Sequence, residues 1–114
     1  SIAVPLDELA DRLKDFPWGY LVTVREDGRA QSLAVPSRLV DGSLVATIGK
    51  GGAANAIARP NVTMLFPGSS GEDFSLIVDG DARVDGDRIE ITPTWAVLHR
   101  PAISRSDPRQ PSDP

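Results

Sequence analysis

The chain has no cysteine, one histidine and only two lysines, Lys14 and Lys50, in 114 residues. Without cysteine it can build neither a disulfide framework nor a thiolate metal site. A lone His99 argues against a histidine-rich metal centre. Aromatic residues make up 5% of the chain and the formal net charge is −4. An acidic, aromatic-poor surface offers neither the cationic groove nor the stacking platform of a nucleic-acid binder. No apolar run approaches the roughly 20 residues that cross a bilayer. The opening SIAVPLDELADRL carries acids where a signal peptide has a basic and then an apolar stretch. The expectation is a cytoplasmic protein with no nucleic-acid and no membrane partner. Its length fits one domain, and a chain this small buries only roughly 65% of its unfolded surface, which makes oligomerisation a natural supplement.

What the chain does have is alternating apolar runs punctuated by turns. Leu6, Leu9, Leu13 and Phe16 recur at helical spacing before Pro17, with Asp7 and Glu8 early and Arg12 and Lys14 late, as the helix dipole favours. Strand-like runs follow at 20–24, 30–40, 43–48, 62–66, 74–78, 82–84 and 88–92. Four Asp-Gly pairs (27–28, 41–42, 79–80 and 85–86) separate many of them, and Asp-Gly is a hairpin signal because it tolerates positive φ. About six strands joined by tight turns predict an antiparallel sheet closed into a small barrel. Pro36 interrupts the second run and predicts an edge or a bulge. Thr92-Pro93 reads as a helix N-cap, predicting a short helix over TWAVLHR. The domain is expected to span 1–101, with a flexible tail at 102–114 that holds three prolines and no periodicity.

The stretch ATIGKGGAANAIARPNVTMLF (46–66) sets Lys50 among glycines between a strand and a short Ala-rich helix. It is neither a P-loop, since Gly51 follows the lysine, nor a G-x-G-x-x-G dinucleotide turn. Two readings remain open. The loop is a glycine-rich turn with a solvated lysine, or it is an anion site. In the second case free N–H groups at the helix start, Lys50 and the Asn55 amide would meet a phosphate. Elsewhere, no pair of carboxylates is arranged for acid–base work. Trp18 is expected in the core and Trp95 in packing or a dimer contact. His99 and Arg59 read as local hydrogen-bonding or helix-end residues.

The order of these elements, with NAIARPNVTMLF, VDGDARVDGD and TPTWAVLHRP, resembles the pyridoxamine 5′-phosphate oxidase-like FMN-binding split-barrel family, in particular small actinobacterial members. The resemblance covers Leu6 to about Pro101. It implies a mainly β fold: a six-stranded antiparallel split β-barrel with an N-terminal helix and one or two short helices, working as a homodimer. It also implies a cofactor between subunits, FMN or the deazaflavin F420, and a possible oxidoreductase whose chemistry the cofactor carries. The alternative it leaves is a non-catalytic dimer acting as carrier or scaffold. By resemblance, the cofactor would be bordered by Ser32, Val35, Pro36 and Ser37 on the second strand, with Arg38 beside them. Its phosphate would be held by Lys50, Gly51, Gly52 and Asn55. Two features depart from the family. Gly52 and Ala53 stand where its phosphate lysine commonly lies, and the arginine-rich C-terminal motif of true pyridoxamine phosphate oxidases is missing.

Overall fold

Alternation with a period of two dominates the chain, and the computed structural model, which describes residues 1–102, is accordingly mainly β. A single 3-10 turn (Leu6–Glu8) leads into α1 (Leu9–Leu13). The strands are β1 (Ile2–Ala3), β2 (Gly19–Val24), β3 (Ala30–Val35), β4 (Ser37–Val40), β5 (Ser43–Thr47), β6 (Asn61–Phe66), β7 (Ser75–Asp85) and β8 (Arg88–His99), with α2 (Lys50–Ala58) between β5 and β6. All pairings are antiparallel, in the order β3-β2-β6-β7-β8-β5-β4, with β1 added beside β8.

The split-barrel fold class expected from the sequence is the one observed, with eight strands in place of six. The difference begins at Pro36. β3 and β4 lie at opposite ends of the strand order, yet only Pro36 separates them in sequence. Proline has no N–H to give to a ladder, so the long run breaks there into two edge strands. Seven strands side by side leave six gaps of about 4.8 Å, so a flat sheet would hold its edges roughly 29 Å apart. Val35 and Ser37 are two peptide units apart, so the sheet must curl until its edges meet.

Two further expectations are corrected. The pair Asp79-Gly80 does not turn, and the runs 74–78, from Ser75 on, and 82–84 are parts of the single strand β7. Gly28, Gly42 and Gly86 have φ of 85°, 83° and 62°, the conformation a tight turn requires, while Gly80 does not share it. Gly80 is needed for close approach instead: a Cβ there would lie 2.6 Å from both Ile91 Cγ2 and the Thr92 carbonyl oxygen. The segment TWAVLHR is strand, not helix, and Thr92-Pro93 is no cap. Ala96 and Leu98 are buried while Trp95 and His99 are exposed, which is strand alternation. Pro93 is tolerated because the β7–β8 register shifts between Asp79 and Gly80, moving from Trp95 to Pro93 and leaving Thr94 as the extra residue of a bulge. The Thr94 hydroxyl donates to the Asp79 carbonyl at 3.2 Å.

The concave face carries the core: Leu21, Leu44, Met64, Phe66, Leu76, Val78, Ile89, Ile91 and Leu98, closed by Leu9 of α1 and Ala56 of α2. The convex face is different. One row runs across it in register, Ala34–Tyr20–Leu65–Ile77–Val97–Ala3, apolar throughout and only partly covered. Trp18 belongs to this side, not to the core: it is 45% exposed and packs edge-on against Tyr20 at 5.2 Å between ring centroids. The flexible tail expected at 102–114 lies, apart from Ala102, outside the described residues.

The close approach at the bulge predicts that Gly80→Ala lowers stability by about 1–3 kcal/mol, the usual range for overpacking. Urea denaturation checks this, and an unchanged midpoint would contradict the contact.

Candidate functional site

The sheet's seam opens into a cleft of about 330 Å³ between β2–β3, the end of β5 and the start of α2. Along β3, residues of one parity meet the cleft face of β2: Gln31 pairs with Thr23, Leu33 with Leu21 and Val35 with Gly19. Pro36 closes one end, and Thr47, Ile48, Gly49 and Gly52 form the opposite wall. No lining residue is ionisable. Leu33 remains 52% exposed, which places a large apolar side chain at an open mouth.

Two charged clefts flank the neutral one. On one side a cleft of about 510 Å³ is lined by Arg25, Glu26, Asp27, Gly51 and Asn55, and it shares Gln31 with the neutral cleft. Arg25 is ion-paired with Asp27 at 3.1 Å. On the other side a cleft of about 450 Å³ holds Ser37, Arg38, Asp87 and Arg88, and it shares Pro36 and Thr47. Arg88 faces Glu90 at 3.2 Å.

The glycine loop forms as strand, turn and helix. Gly49 is the extended N-cap of α2, and the first helical bond runs from the Ala53 N–H to the Gly49 carbonyl at 3.0 Å. The N–H groups of Lys50, Gly51 and Gly52 therefore precede the helical ladder, with no acid in the first turn. Lys50 is exposed. Gly52 is buried, and a Cβ built on it would meet only Ile48 Cβ, at 4.0 Å.

Asn55 is buried, and both of its side-chain donors are engaged. Nδ2 donates to Thr23 Oγ1 at 3.1 Å and to Gln31 Oε1 at 2.9 Å. These bonds pin α2 across β2 and β3. At the other end of the helix Arg59 Nε donates to the Val24 carbonyl at 2.7 Å, a second tie to β2. The structure thus brings Val35, Pro36 and Gly52 into the neutral cleft, Gly51 and Asn55 into one charged neighbour, and Ser37 into the other. Ser32 is exposed on the opposite face of β3, across from Val22. Lys50 lines none of the three clefts.

Sequence reasoning missed Thr23, Gln31 and Thr47, and did not single out Leu33 within 32–38. Strand parity links Gln31 and Leu33 to Val35, so a register for β2–β3 would have found them. His99 lies elsewhere, its Nδ1 3.0 Å from Ser1 Oγ. Also remote is Asp73, whose carboxyl is held below its ordinary range, first by the Ser69 hydroxyl and then by Ser70.

No protein-family model matches the chain. Uncharacterised proteins from Mycobacterium bovis and Mycobacterium tuberculosis are each 37% identical to it over 123 aligned residues, covering 90% of this chain and 84% of theirs. The chain belongs to their family. Solved structures similar to it include a Listeria innocua protein named for pyridoxamine 5′-phosphate oxidase, with a TM-score of 0.68 at 19% identity, covering 82% of this chain and 96% of that one. An F420 reductase has a TM-score of 0.65 at 22% identity, covering 82% and 98%. An FAD-binding protein from Mycobacterium smegmatis has a TM-score of 0.61 at 18% identity, covering 86% and 99%. The fold of the family is therefore the pyridoxamine 5′-phosphate oxidase-like split barrel. Among the described residues no helix is long and apolar enough to cross a membrane.

The Asn55 network predicts a stability cost with a distinctive pattern. Asn55→Ala removes two hydrogen bonds and should lower unfolding free energy by about 1–3 kcal/mol. Thr23→Val leaves one Asn55 N–H unpaired and should cost about 1–2 kcal/mol. The double variant should cost less than the sum of the two, since they share a partner. Additive values from urea unfolding would contradict the shared bond.

Proposed function

We propose that this protein is a homodimeric cofactor-binding split barrel that seats the ring of FMN or F420 in the neutral cleft. The observation that carries this reading is the cleft's composition. A flat, mostly apolar ring suits a slot walled by Leu21, Leu33, Val35, Pro36 and Ile48 with no ionisable side chain. Its volume, about 330 Å³, is at the low end of the roughly 300–1,000 Å³ of small-molecule sites, enough for a ring system while a polar tail lies outside. Two structural neighbours named for F420 and FAD favour the same class of ligand.

The residues fit such a group in separate parts. Leu33 and Val35 on β3, with Pro36, border the ring. The backbone N–H groups of Gly51 and Gly52 and the Lys50 ammonium, at the start of α2, receive the phosphate. Asn55 serves by holding the helix against β2 and β3, because its donors are committed to Thr23 and Gln31. A bound flavin or deazaflavin supplies hydride or electron transfer at its central ring. The chain's own part is to bind, orient and exclude water. Ser32, on the convex face, belongs with the dimer contact and not with the ring.

The dimer is supported by the apolar row Ala34–Tyr20–Leu65–Ile77–Val97–Ala3. A partly uncovered apolar sheet face of this kind marks an interaction surface. A second reading, a carrier or scaffold without turnover, is favoured by one observation: no ionisable side chain lines the cleft to move a proton.

Purified protein titrated with FMN and with F420 should quench and shift the fluorescence of one of them with saturable binding. Binding of neither would contradict the proposal, and binding without turnover on any hydride donor would favour the carrier. Gly52→Ala separates stability from binding. Space exists for the methyl, and alanine suits a helix better than glycine by roughly 0.5–1 kcal/mol. Melting temperature should hold or rise while cofactor affinity falls, because the methyl occupies cleft volume. Equal affinity would remove Gly52 from the site. Light scattering at micromolar concentration should give the mass of two chains, and a Tyr20→Glu variant the mass of one.

A further inference from the structure

We infer that Gln31 is the residue that reads the polar edge of the ring, donating a hydrogen bond from Nε2 to a carbonyl or unprotonated ring nitrogen. The inference rests on the cofactor reading above and adds to it the residue that recognises the ring and the polarity of the ring edge. It starts from the direction of one amide. Asn55 Nδ2 donates to Gln31, so the atom it meets at 2.9 Å is the acceptor Oε1. Asn55 is in turn fixed by its second bond, to Thr23 Oγ1 at 3.1 Å, inside the protein. The Gln31 amide therefore has its oxygen committed to Asn55 and its NH₂ left over for a ligand, beside the start of α2. Nε2 lies 4.0 Å from the position a Cβ would take on Gly51, at the rim of α2.

Position gives this amide its use. Gln31 is half-buried and lines both the neutral cleft and the Arg25–Gly51 cleft beside it. A ligand with an uncharged ring and an anionic tail, lying across the two, passes over Gln31. The other polar side chains of the neutral cleft are Thr23, whose hydroxyl oxygen already accepts from Asn55, and Thr47, which is exposed at the opposite wall. A long side chain such as glutamine loses rotamer freedom when it is held. A buried asparagine dedicated to holding it leaves an oriented donor in a cleft with no charge. Such a donor selects an acceptor on its ligand, because a ligand edge without one leaves the amide N–H unpaired.

Gln31→Glu tests this with little change in shape. Both glutamate oxygens accept, so the bond from Asn55 survives while the group facing the cleft changes from donor to acceptor. Riboflavin is the decisive probe, since it carries the ring without a phosphate that a new carboxylate would repel. Wild-type protein should bind riboflavin and FMN or, where F420 is the ligand it takes, F420 and its phosphate-free deazaflavin, which then replaces riboflavin in the same comparison. Gln31→Glu should weaken both by about 10–100-fold at unchanged melting temperature, and Gln31→Ala by about tenfold with a lowered melting temperature, since it leaves one Asn55 N–H unpaired. In the amide NMR spectrum of the wild type, the Gln31 side-chain NH₂ pair should shift on riboflavin addition. Undiminished riboflavin binding by Gln31→Glu would overturn the inference and leave the cofactor reading standing. Loss of FMN with retention of riboflavin would overturn it too, placing Gln31 at the phosphate. Wild-type protein that binds neither flavin nor F420 would remove the cofactor reading and this inference together.

Discussion

One covalent constraint shapes this molecule: Pro36 joins the two strands that lie at opposite edges of the same sheet. A single residue cannot bridge a flat seven-stranded sheet, so the sheet curls and its concave side becomes the core. The seam where the edges meet is not a hydrogen-bonded ladder, because strands joined by a single residue cannot fold back to pair with each other. An opening remains there, and its walls are set by the strands that lead into and away from it. Val35 and Pro36 form one side, and the end of β5 with the start of α2 forms the other. The cleft is thus a consequence of how the barrel closes.

The wall opposite β3 needs its own support, since α2 is a nine-residue helix whose sequence, KGGAANAIA, carries little apolar surface. Packing alone gives such a helix a weak hold. Asn55 and Arg59 provide the rest, through polar bonds to β2 and β3. The glycines at its start leave room and free N–H groups, and the same bonds that fasten the helix orient Gln31. Fastening and recognition therefore share one buried amide, which links the stability of α2 to the shape of the cleft.

Much of this was legible in the residues. Three of the four Asp-Gly pairs are turns with positive-φ glycine, as turn chemistry requires, and Pro36 marks an edge. Asp79-Gly80 was misleading because its glycine answers a different need, the close passage of β8. The Thr92-Pro93 cap signal was outweighed by the alternation of Trp95 to His99, and proline fits there only because a bulge interrupts the ladder. Both features depend on a partner strand, which local sequence does not contain. The site was legible in part. Val35, Pro36 and Gly52 meet in the cleft, while Asn55, expected to donate to a ligand, donates to the protein. Gln31 was legible only as a strand position sharing the parity of Val35, since the bond that singles it out comes from Asn55, which is remote from it in sequence.

The central claim is that the neutral seam cleft seats a planar cofactor ring. A crystal structure grown with saturating FMN or F420 tests it most directly. The account predicts ring density between Leu33 and Gly52, with Gln31 and Pro36 at its two ends and the polar tail leading toward the start of α2. A ring seated instead in the Arg38–Arg88 cleft, or a cleft left without cofactor density at saturating concentration, would contradict it.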